Sequence, residues 1–291
     1  MSSLAVLHAS QLVTLAGPKR PRVNGGMAEL AIVSDGGMLI RDGKIDRVGR
    51  SDEIEKEAGD GQIVDLAGRV VLPGFVDAHT HVVFAGNRLE DFERRARGET
   101  YEQIAKAGGG IWSTVEKTRA ASETELFEHA KKRVEWFLKC GTTTVEAKSG
   151  YGLTIEDELK ILRVMQRLNR ETRLEIVPTF LGAHAVPRDS SANQYVDLVV
   201  DEMLPCVASE KLAEFCDVFC ERGYFDIEQS RKILSAAKDA GLNLRGHVDQ
   251  LTNSGGAKLM AELGATTADH LEKTDEEGIA ALKIANVQPV L

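Results

Sequence analysis

Two histidines, His79 and His81, stand two positions apart at the end of an apolar run. Because side chains at positions i and i+2 of a strand point to the same face, a strand over 70–83 would project both imidazoles side by side. Imidazole is the commonest metal ligand among side chains. The pair therefore predicts half of a cation site, and the preceding Pro73-Gly74 turn and Asp77 favour that reading over two polar residues at a strand end.

Three further histidines stand at the ends of other predicted strands. His184 follows the third of these strands, His247 ends the fifth, and His270 follows the sixth. In a barrel of parallel strands, the C-terminal strand ends meet on one rim, where catalytic residues gather. Five of the seven histidines therefore predict a metal and proton-transfer site on that rim, whereas His8 and His129 are assigned no function.

The elements that would position this rim alternate between strand and helix, which requires parallel strands with crossover helices. Helix-start signals of the capping type lie between the strands, at Ser122 with Glu125, Thr154 with Asp157, Asp226 with Gln229, and Thr274 with Glu277. The pattern predicts an α/β fold, a (β/α)8 barrel with one strand fewer than eight. The seven apolar runs that predict strands are Val70–Val83, Thr142–Glu146, Leu174–Leu181, Phe215–Cys220, Leu242–His247, Ala265–Asp269 and Asn286–Leu291.

Residues 1–68 have a different texture, with short β-rich runs at close spacing. Asp35-Gly36 and Asp42-Gly43 are typical of two-residue hairpin turns, because Asp and Gly tolerate positive φ. We therefore expect a small N-terminal antiparallel β-sandwich over 1–68 and the barrel over 69–291. The predicted sandwich strands are Leu4–Leu15, Ala28–Val33, Gly37–Ile40, Lys44–Val48 and Gln62–Leu66.

Composition narrows the classes of function. A formal net charge of −9 argues against a nucleic-acid or anionic-membrane partner. No apolar run approaches the roughly 18 residues of a membrane span, and no secretory signal opens the chain. The four cysteines lack regular spacing, which favours buried thiols in the cytoplasm. Cys216 and Cys220 could be metal ligands, but their apolar run favours core packing.

Seven segments together resemble the imidazolonepropionase family of the amidohydrolase superfamily, over essentially the whole chain. The first segment is shared across the superfamily, whereas the Lys-Ser-Gly-Tyr-Gly-Leu and Gly-Ala-His-Ala-Val-Pro segments resemble imidazolonepropionases specifically. The resemblance implies a metal-dependent barrel enzyme. The segments are Val71–His81, Phe84–Arg88, Gly108–Ile111, Lys148–Leu153, Gly182–Pro187, His247–Gln250 and Ala268–Glu272.

This resemblance implies hydrolysis of the cyclic amide of 4-imidazolone-5-propanoate to N-formimidoyl-L-glutamate in histidine degradation. It implies one divalent metal, zinc or iron, on three histidine ligands and an Asp after an eighth strand, and it suggests a homodimer. Gln250 would orient the ring but could not act as a base, which leaves proton transfer to His270 or that Asp. The implied metal ligands are His79, His81 and His247, the substrate contacts are Arg88, Tyr151, His184 and Gln250, and the catalytic residues are His270 and Gln250.

Several alternatives stay open. Arg88 could be a surface ion-pair residue, Tyr151 could simply fill a glycine-rich loop, and Lys148 could be a carbamylated lysine that bridges two metals. The chain could be another cyclic-amide hydrolase or a deaminase of the same superfamily. Because the sequence stops at Leu291, inside the seventh predicted strand, we expect a truncated chain, and a non-catalytic relative is the third alternative.

Overall fold

The computed structural model describes residues 3–18, 20, 22–100, 103–104 and 107–291. The chain divides into two compact units, Met1–Gly74 and Phe75–Leu291. Within the described residues, no helix is both long and apolar enough to cross a membrane.

The N-terminal unit is built on one five-stranded sheet in which the first strand is central. Strand β1 pairs antiparallel with β2, and β2 pairs antiparallel with β3, as a sandwich of hairpins would require. Strands β4 and β5 instead pair parallel with β1, which departs from the expected antiparallel arrangement. The strands are β1 (Ser3–Val13), β2 (Ile32–Arg41), β3 (Lys44–Arg50), β4 (Gln62–Asp65) and β5 (Val70–Val71).

One of the two predicted hairpin turns of this unit is confirmed and the other is wrong. Asp42 and Gly43 join β2 to β3 with φ values of 50° and 77°. Asp35 also has a positive φ of 45°, but it lies inside the continuous strand β2. There the pairing with β1 shifts register beside His8, which has φ 59°, so the irregularity is a bulge and not a turn.

A helix that the sequence analysis missed, α1 (Ser51–Ala58), forms the second layer of the N-terminal unit. Its side chains Ile54 and Ala58 are buried in one cluster with Ala5, Leu7 and Leu39 of the sheet. The unit is therefore a sheet covered by a helix. Short helices of this kind depend on such packing more than on their own helix propensity. The local sequence pattern of residues 51–58 therefore did not predict the helix.

The second unit carries parallel strands at all seven predicted positions, in the order β13-β12-β11-β9-β8-β7-β6. The first prediction needs a correction, because 70–83 is not one strand. Pro73 has no N–H to donate to a ladder, and the chain leaves β5 before Pro73 and starts β6 after it. The strands are β6 (Phe75–Thr80), β7 (Thr142–Lys148), β8 (Glu175–Ala183), β9 (Phe215–Cys220), β10 (Asn243–Leu244), β11 (His247–Val248), β12 (Thr267–His270) and β13 (Gln288–Val290).

Helices of the second unit begin largely where the sequence predicted. Ser122 and Asp226 each form a full capping box, and Thr154 accepts a hydrogen bond from the Asp157 amide. The helices include α2 (Leu89–Ala96), α3 (Ile111–Ala120), α4 (Glu123–Lys139), α5 (Ile155–Glu171), α6 (Ala192–Leu198), α7 (Leu204–Ser209), α8 (Ile227–Asp239), α9 (Gly256–Leu263) and α10 (Glu276–Ala285).

The predicted capping role of Thr274 is wrong. Asp275 caps α10 by accepting from the Gly278 amide at 2.7 Å, whereas the Thr274 hydroxyl donates to Asp249 at 3.0 Å. Aspartate and threonine are both good capping residues, and here the longer-range partner of Thr274 decides between them.

The core of the second unit lies between the strands and their covering helices, and it is apolar. Cys216 and Cys220 of β9 are buried free thiols within it, which confirms the packing interpretation over metal ligation. Burial raises the pKa of both thiols, so neither is a ready thiolate. At the C-terminal ends of the strands the interior becomes charged instead, and this change marks the candidate site.

Candidate metal centre and substrate cavity

All five strand-end histidines converge on one rim of the second unit. The rings of His79 and His247 are 4.6 Å apart between centroids, and His270 lies 5.1 Å from His79. On the other side, His81 and His184 stack at 5.0 Å. Strand pairing explains the convergence, because parallel strands bring their C-terminal ends to the same edge.

The five imidazoles line a cavity of about 660 Å³. A small-molecule site of this kind has mixed walls, with apolar side chains for contact and a few polar groups for orientation. The other described residues on its wall are Arg88, Arg95, Glu99, Thr100, Ile111, Tyr151, Phe219, Tyr224, Gln250 and Leu251.

Two of the histidines, His79 and His247, are anchored by buried carboxylates and are called the inner pair here. The Nδ1 of His79 lies 2.7 Å from Asp269 Oδ2, and the Nδ1 of His247 lies 3.0 Å from Asp217 Oδ1. Both aspartates are fully buried. Each carboxylate fixes its imidazole with the proton on Nδ1, which leaves Nε2 as the free electron pair for a metal.

A buried ionic network lies beneath the inner pair. The ammonium of Lys148 donates to Glu146 at 2.9 Å and to Asp217 at 2.8 Å, and it lies 3.4 Å from Asp269. Arg245 adds a second cation at 3.0 Å from Asp269. Three carboxylates against two cations leave one net negative charge, which favours a cation at the histidines above.

The protonation of this network follows from its geometry. The Lys148 ammonium and the partner imidazoles hold the pKa of both aspartates below the usual range, although burial opposes them. The three carboxylates in turn raise the pKa of Lys148 despite its burial. A carbamylated lysine needs a neutral amine, so the ion pairs disfavour that alternative for Lys148.

The remaining three, His81, His184 and His270, are called the outer histidines. His184 Nδ1 lies 2.9 Å from the Gly150 carbonyl, and His270 Nδ1 lies 3.7 Å from the carboxylate of Glu272. His81 Nδ1 is buried and has no hydrogen-bond partner among the described residues. Burial lowers the pKa of all three imidazoles, and neighbouring histidines add to that effect.

The backbone of His270 is strained. Its φ is 82°, and Leu271 follows with φ 66°, both in the left-handed region that costs a non-glycine residue roughly 1–3 kcal/mol. Strain of this kind persists where the surroundings hold it, and it clusters at active sites.

Two overlapping groups of nitrogens could hold a metal ion. One is His79, His247 and His270, and the other is His81, His184 and His247; in each, the ligand atoms all lie within 4.8 Å of one another. The predicted set of His79, His81 and His247 draws on both groups and is not itself such a group. His247 belongs to both groups and is the most central of the five.

Arg88 and Tyr151 meet at the wall of the cavity. The Arg88 Nε donates to the Thr114 hydroxyl at 2.9 Å, and its guanidinium lies 5.7 Å from the Tyr151 ring centroid. Tyr151 in turn lies 4.9 Å from the ring of His81. The structure therefore brings both residues and Gln250 into the same cavity as the histidines.

Known proteins similar to this chain agree on one family. The chain is 56% identical over 294 residues to the imidazolonepropionase of Solibacter usitatus, covering 100% of this chain and 70% of the relative. It is 49% identical to the imidazolonepropionase of Brevibacillus brevis, covering 98% of this chain and 69% of the relative. The chain belongs to the imidazolonepropionase family. The broader Amidohydrolase family matches residues 62–138.

Solved structures of other enzymes have a fold similar to that of this imidazolonepropionase family member. A 5-methylcytosine deaminase from Klebsiella pneumoniae superposes with a TM-score of 0.66 at 15% identity, over 98% of this chain and 64% of that one. A Xaa-Pro dipeptidase with bound methionine superposes with a TM-score of 0.66 at 16% identity, over 99% and 66%. At such identities the likeness extends to the barrel architecture alone.

Sequence reasoning missed the carboxylates that anchor the inner pair. Asp217 lies in the middle of the apolar run that forms β9, and Asp269 directly precedes His270 in β12. A charged residue inside an otherwise apolar strand is unusual unless it is paired, and that signal was available. Arg245, two positions before His247 in the predicted strand Leu242–His247, gave the same signal.

Proposed function

We propose that this chain hydrolyses the cyclic amide of 4-imidazolone-5-propanoate to N-formimidoyl-L-glutamate, with one divalent metal, zinc or iron. One observation carries the proposal: a chain of the imidazolonepropionase family places five imidazoles and an arginine around one cavity. Hydrolysis of an amide requires a nucleophile better than neutral water and a means of holding the substrate. The cavity offers groups for both.

The donor set fits a divalent metal. The inner pair is held with Nε2 available, and His81 has a buried Nδ1 that lacks a protein partner in the described part of the chain. We assign His79, His81 and His247 as the ligands, which takes one histidine from each of the two groups beside the shared His247; their neutral imidazoles suit zinc or iron equally. A divalent cation there would polarise the amide carbonyl and make water a better nucleophile near neutral pH.

Arg88 is assigned to the propionate group of the substrate. A planar guanidinium binds a carboxylate at two points, and this one keeps its terminal nitrogens available because Thr114 accepts from Nε. Tyr151 and His184 would contact the imidazolone ring, and Gln250 would orient it with its amide. The Gln250 amide neither gains nor loses a proton near neutral pH, so its role is orientation.

His270 is assigned to proton transfer. Burial and the neighbouring His79 lower its pKa, so the ring is neutral near pH 7 and able to accept a proton from water. It would then donate to the ring nitrogen that leaves as the amide opens.

Two further expectations stay proposals. The four free thiols among the described residues suit a reducing compartment, and we propose the cytoplasm. The family resemblance suggests a homodimer, and light scattering of the purified protein would decide that.

The test is a ring-opening assay with a substrate panel. Protein supplied with zinc or iron(II) should consume 4-imidazolone-5-propanoate and release N-formimidoyl-L-glutamate, and chelation should abolish this. Cytosine and guanine form the comparison arm, because solved deaminases share the fold. Turnover of a deaminase substrate alone would assign a different reaction, and absence of turnover in metal-loaded protein would refute the proposal.

A further inference from the structure

One fully buried carboxylate of the second unit lies outside the ionic network. Glu158, in the first turn of α5, has no exposed surface and forms no ion pair among the described residues. Burying a carboxylate costs several kcal/mol unless hydrogen bonds replace its water. The groups that replace the water here are backbone amides and the Ser149 side chain of a single loop, Ser149–Leu153; burial raises the pKa of the Glu158 carboxyl, and these hydrogen bonds oppose that effect.

The loop wraps around the Glu158 carboxylate. Oε2 accepts from the Gly150 amide at 2.9 Å, and Oε1 accepts from the Gly152 and Leu153 amides at 2.7 and 2.8 Å. Successive amides aimed at one anion form a nest, which requires backbone in unusual conformations. Gly150 and Leu153 accordingly have φ values of 101° and 55°.

The same loop carries the cavity wall. Its residue Tyr151 contacts the rings of His81 and His184, at 4.9 and 5.4 Å between centroids. The Gly150 carbonyl accepts from His184 Nδ1 at 2.9 Å. A Cβ on Gly150 would lie 2.8 Å from that nitrogen, so loop and imidazole are in direct contact.

We propose that Glu158 is a positioning residue of the active site: its carboxylate holds the 149–153 loop so that Tyr151 faces the cavity and the proton of His184 stays on Nδ1. The inference rests on the proposed function for its kinetic consequence only. With Nδ1 donating to the loop carbonyl, His184 presents Nε2 to the cavity as an acceptor. Glu158 itself does not line the cavity, and its side-chain hydrogen bonds within the described residues all go to the 149–153 loop.

The decisive variant is Glu158→Gln, which keeps size and shape. Its amide oxygen can still accept from two donors, Gly152 and Leu153, but its NH2 then faces the Gly150 amide and repels it. The bond lost is therefore the one next to the carbonyl that orients His184. Glu156→Gln is the matched control, since Glu156 lies on the same helical turn and is exposed.

Two readouts separate positioning from mere stability. Nitrogen-15 NMR of the histidine rings should show His184 as the Nδ1-protonated tautomer in wild type and a mixture in Glu158→Gln, with the signal assigned through His184→Gln. In the ring-opening assay, KM should rise by about ten- to a hundredfold, the scale of one lost charge-assisted hydrogen bond, with metal content unchanged. Glu156→Gln should match wild type in both.

An unchanged His184 tautomer and KM in folded Glu158→Gln protein would overturn the inference. If that variant does not fold, Glu158→Asp decides, because its side chain is one methylene shorter and withdraws the carboxylate from the loop amides, that of Gly150 included; it is expected to give the same tautomer mixture, and a wild-type spectrum would overturn the inference. Failure of the proposed function is separate: wild type would then open no imidazolone ring, while the tautomer measurement would still judge Glu158.

Discussion

The inner pair and the outer histidines share one cavity but are held in different ways. His79 and His247 each lie against a fully buried aspartate that Lys148 also contacts. His184 is held by a backbone carbonyl, and His270 faces a half-exposed glutamate at 3.7 Å. Imidazoles fixed by negative charge suit a metal, whereas the neutral or weak anchors of His184 and His270 leave these two rings freer to bind substrate or to exchange a proton.

The largest expected effect comes from His247, which belongs to both possible metal groups. His247→Ala should lose stoichiometric zinc or iron and all ring-opening activity, as measured by elemental analysis of dialysed protein. His129→Ala is the control, since His129 is exposed on α4. Full retention of metal without His247 would contradict the centre as assigned.

His79→Ala and His184→Ala then separate the two groups. If the inner pair holds the metal, His79→Ala also loses it, because an anchored ligand is gone. His184→Ala should keep it and bind substrate more weakly. The reverse result would assign the metal to the group of His81, His184 and His247 and would show that anchoring by a carboxylate does not mark the ligands.

Acid should destabilise the metal-free protein over a defined window. Burial lowers the pKa of His247 to about 4, and Asp217 only partly offsets that effect. Between this value and the ordinary pKa near 6.5, the unfolded chain binds a proton that the folded chain does not. The free energy of unfolding is therefore fully retained above about pH 6.5 and falls toward pH 4, by up to about 1.4 kcal/mol per pH unit for each such histidine.

Urea unfolding of chelated protein at pH 7, 6 and 5 measures this fall. The lowered pKa values of His81, His184 and His270 act in the same direction. A free energy of unfolding that rises on acidification would mean that the histidines are charged in the folded state. The inner pair would then form ion pairs with their aspartates and would not be available to bind a metal.

Replacing Lys148 tests how much the buried ionic network that anchors the inner pair contributes to stability. Lys148→Met removes a buried ammonium that contacts three carboxylates, leaving only Arg245 to balance them. We expect the free energy of unfolding to fall by about 3–5 kcal/mol, the scale for breaking a buried ion pair from one side. Lys258→Met, at a half-exposed ion pair, should leave the free energy of unfolding close to that of wild type. Equal losses of unfolding free energy in the two variants would show that the buried network stabilises the fold no more than an exposed ion pair does.

Features set by local sequence could be predicted, whereas features set by contacts between distant residues could not. His79 and His81 could be predicted as site residues because two-residue spacing at the end of an apolar run needs no knowledge of other strands, although β6 ends at Thr80, one residue before His81. The anchoring of His247 by Asp217 joins residues 30 apart on neighbouring strands, and only the register of β9 against β11 aligns them. Barrel strands were predicted for a similar reason: each is a local apolar run, whereas helix α1 forms through packing against a sheet.

Arg88 extends the comparison to the substrate. Arg88→Ala should raise KM by the equivalent of about 2–4 kcal/mol, as for the loss of a cation that holds the substrate carboxylate at two points, and should leave metal content intact. Arg188→Ala is a control of the same chemistry, since that guanidinium lies 4.9 Å from the Trp112 ring and does not line the cavity. An unchanged KM in Arg88→Ala would remove Arg88 from the site and favour the alternative of a surface residue.

His270 is where the inner and outer sets are hardest to separate. It lies close enough to His79 and His247 to be a ligand, yet its anchor is weak and its backbone is strained. The weak anchor favours proton transfer over metal binding. His270→Ala should therefore keep the metal and lower kcat by roughly 10²-fold, the usual scale for a positioned acid or base.

The pH profile distinguishes that role from a structural one. Loss of an acid/base should remove the limb of the kcat profile that reports its lowered pKa, whereas a packing defect would lower the whole profile evenly. If His270→Ala strips the metal, His270 is a ligand and the proposed ligand set of His79, His81 and His247 is wrong. If metal and kcat both stay at the wild-type level, the strain at φ 82° serves the fold and not the reaction.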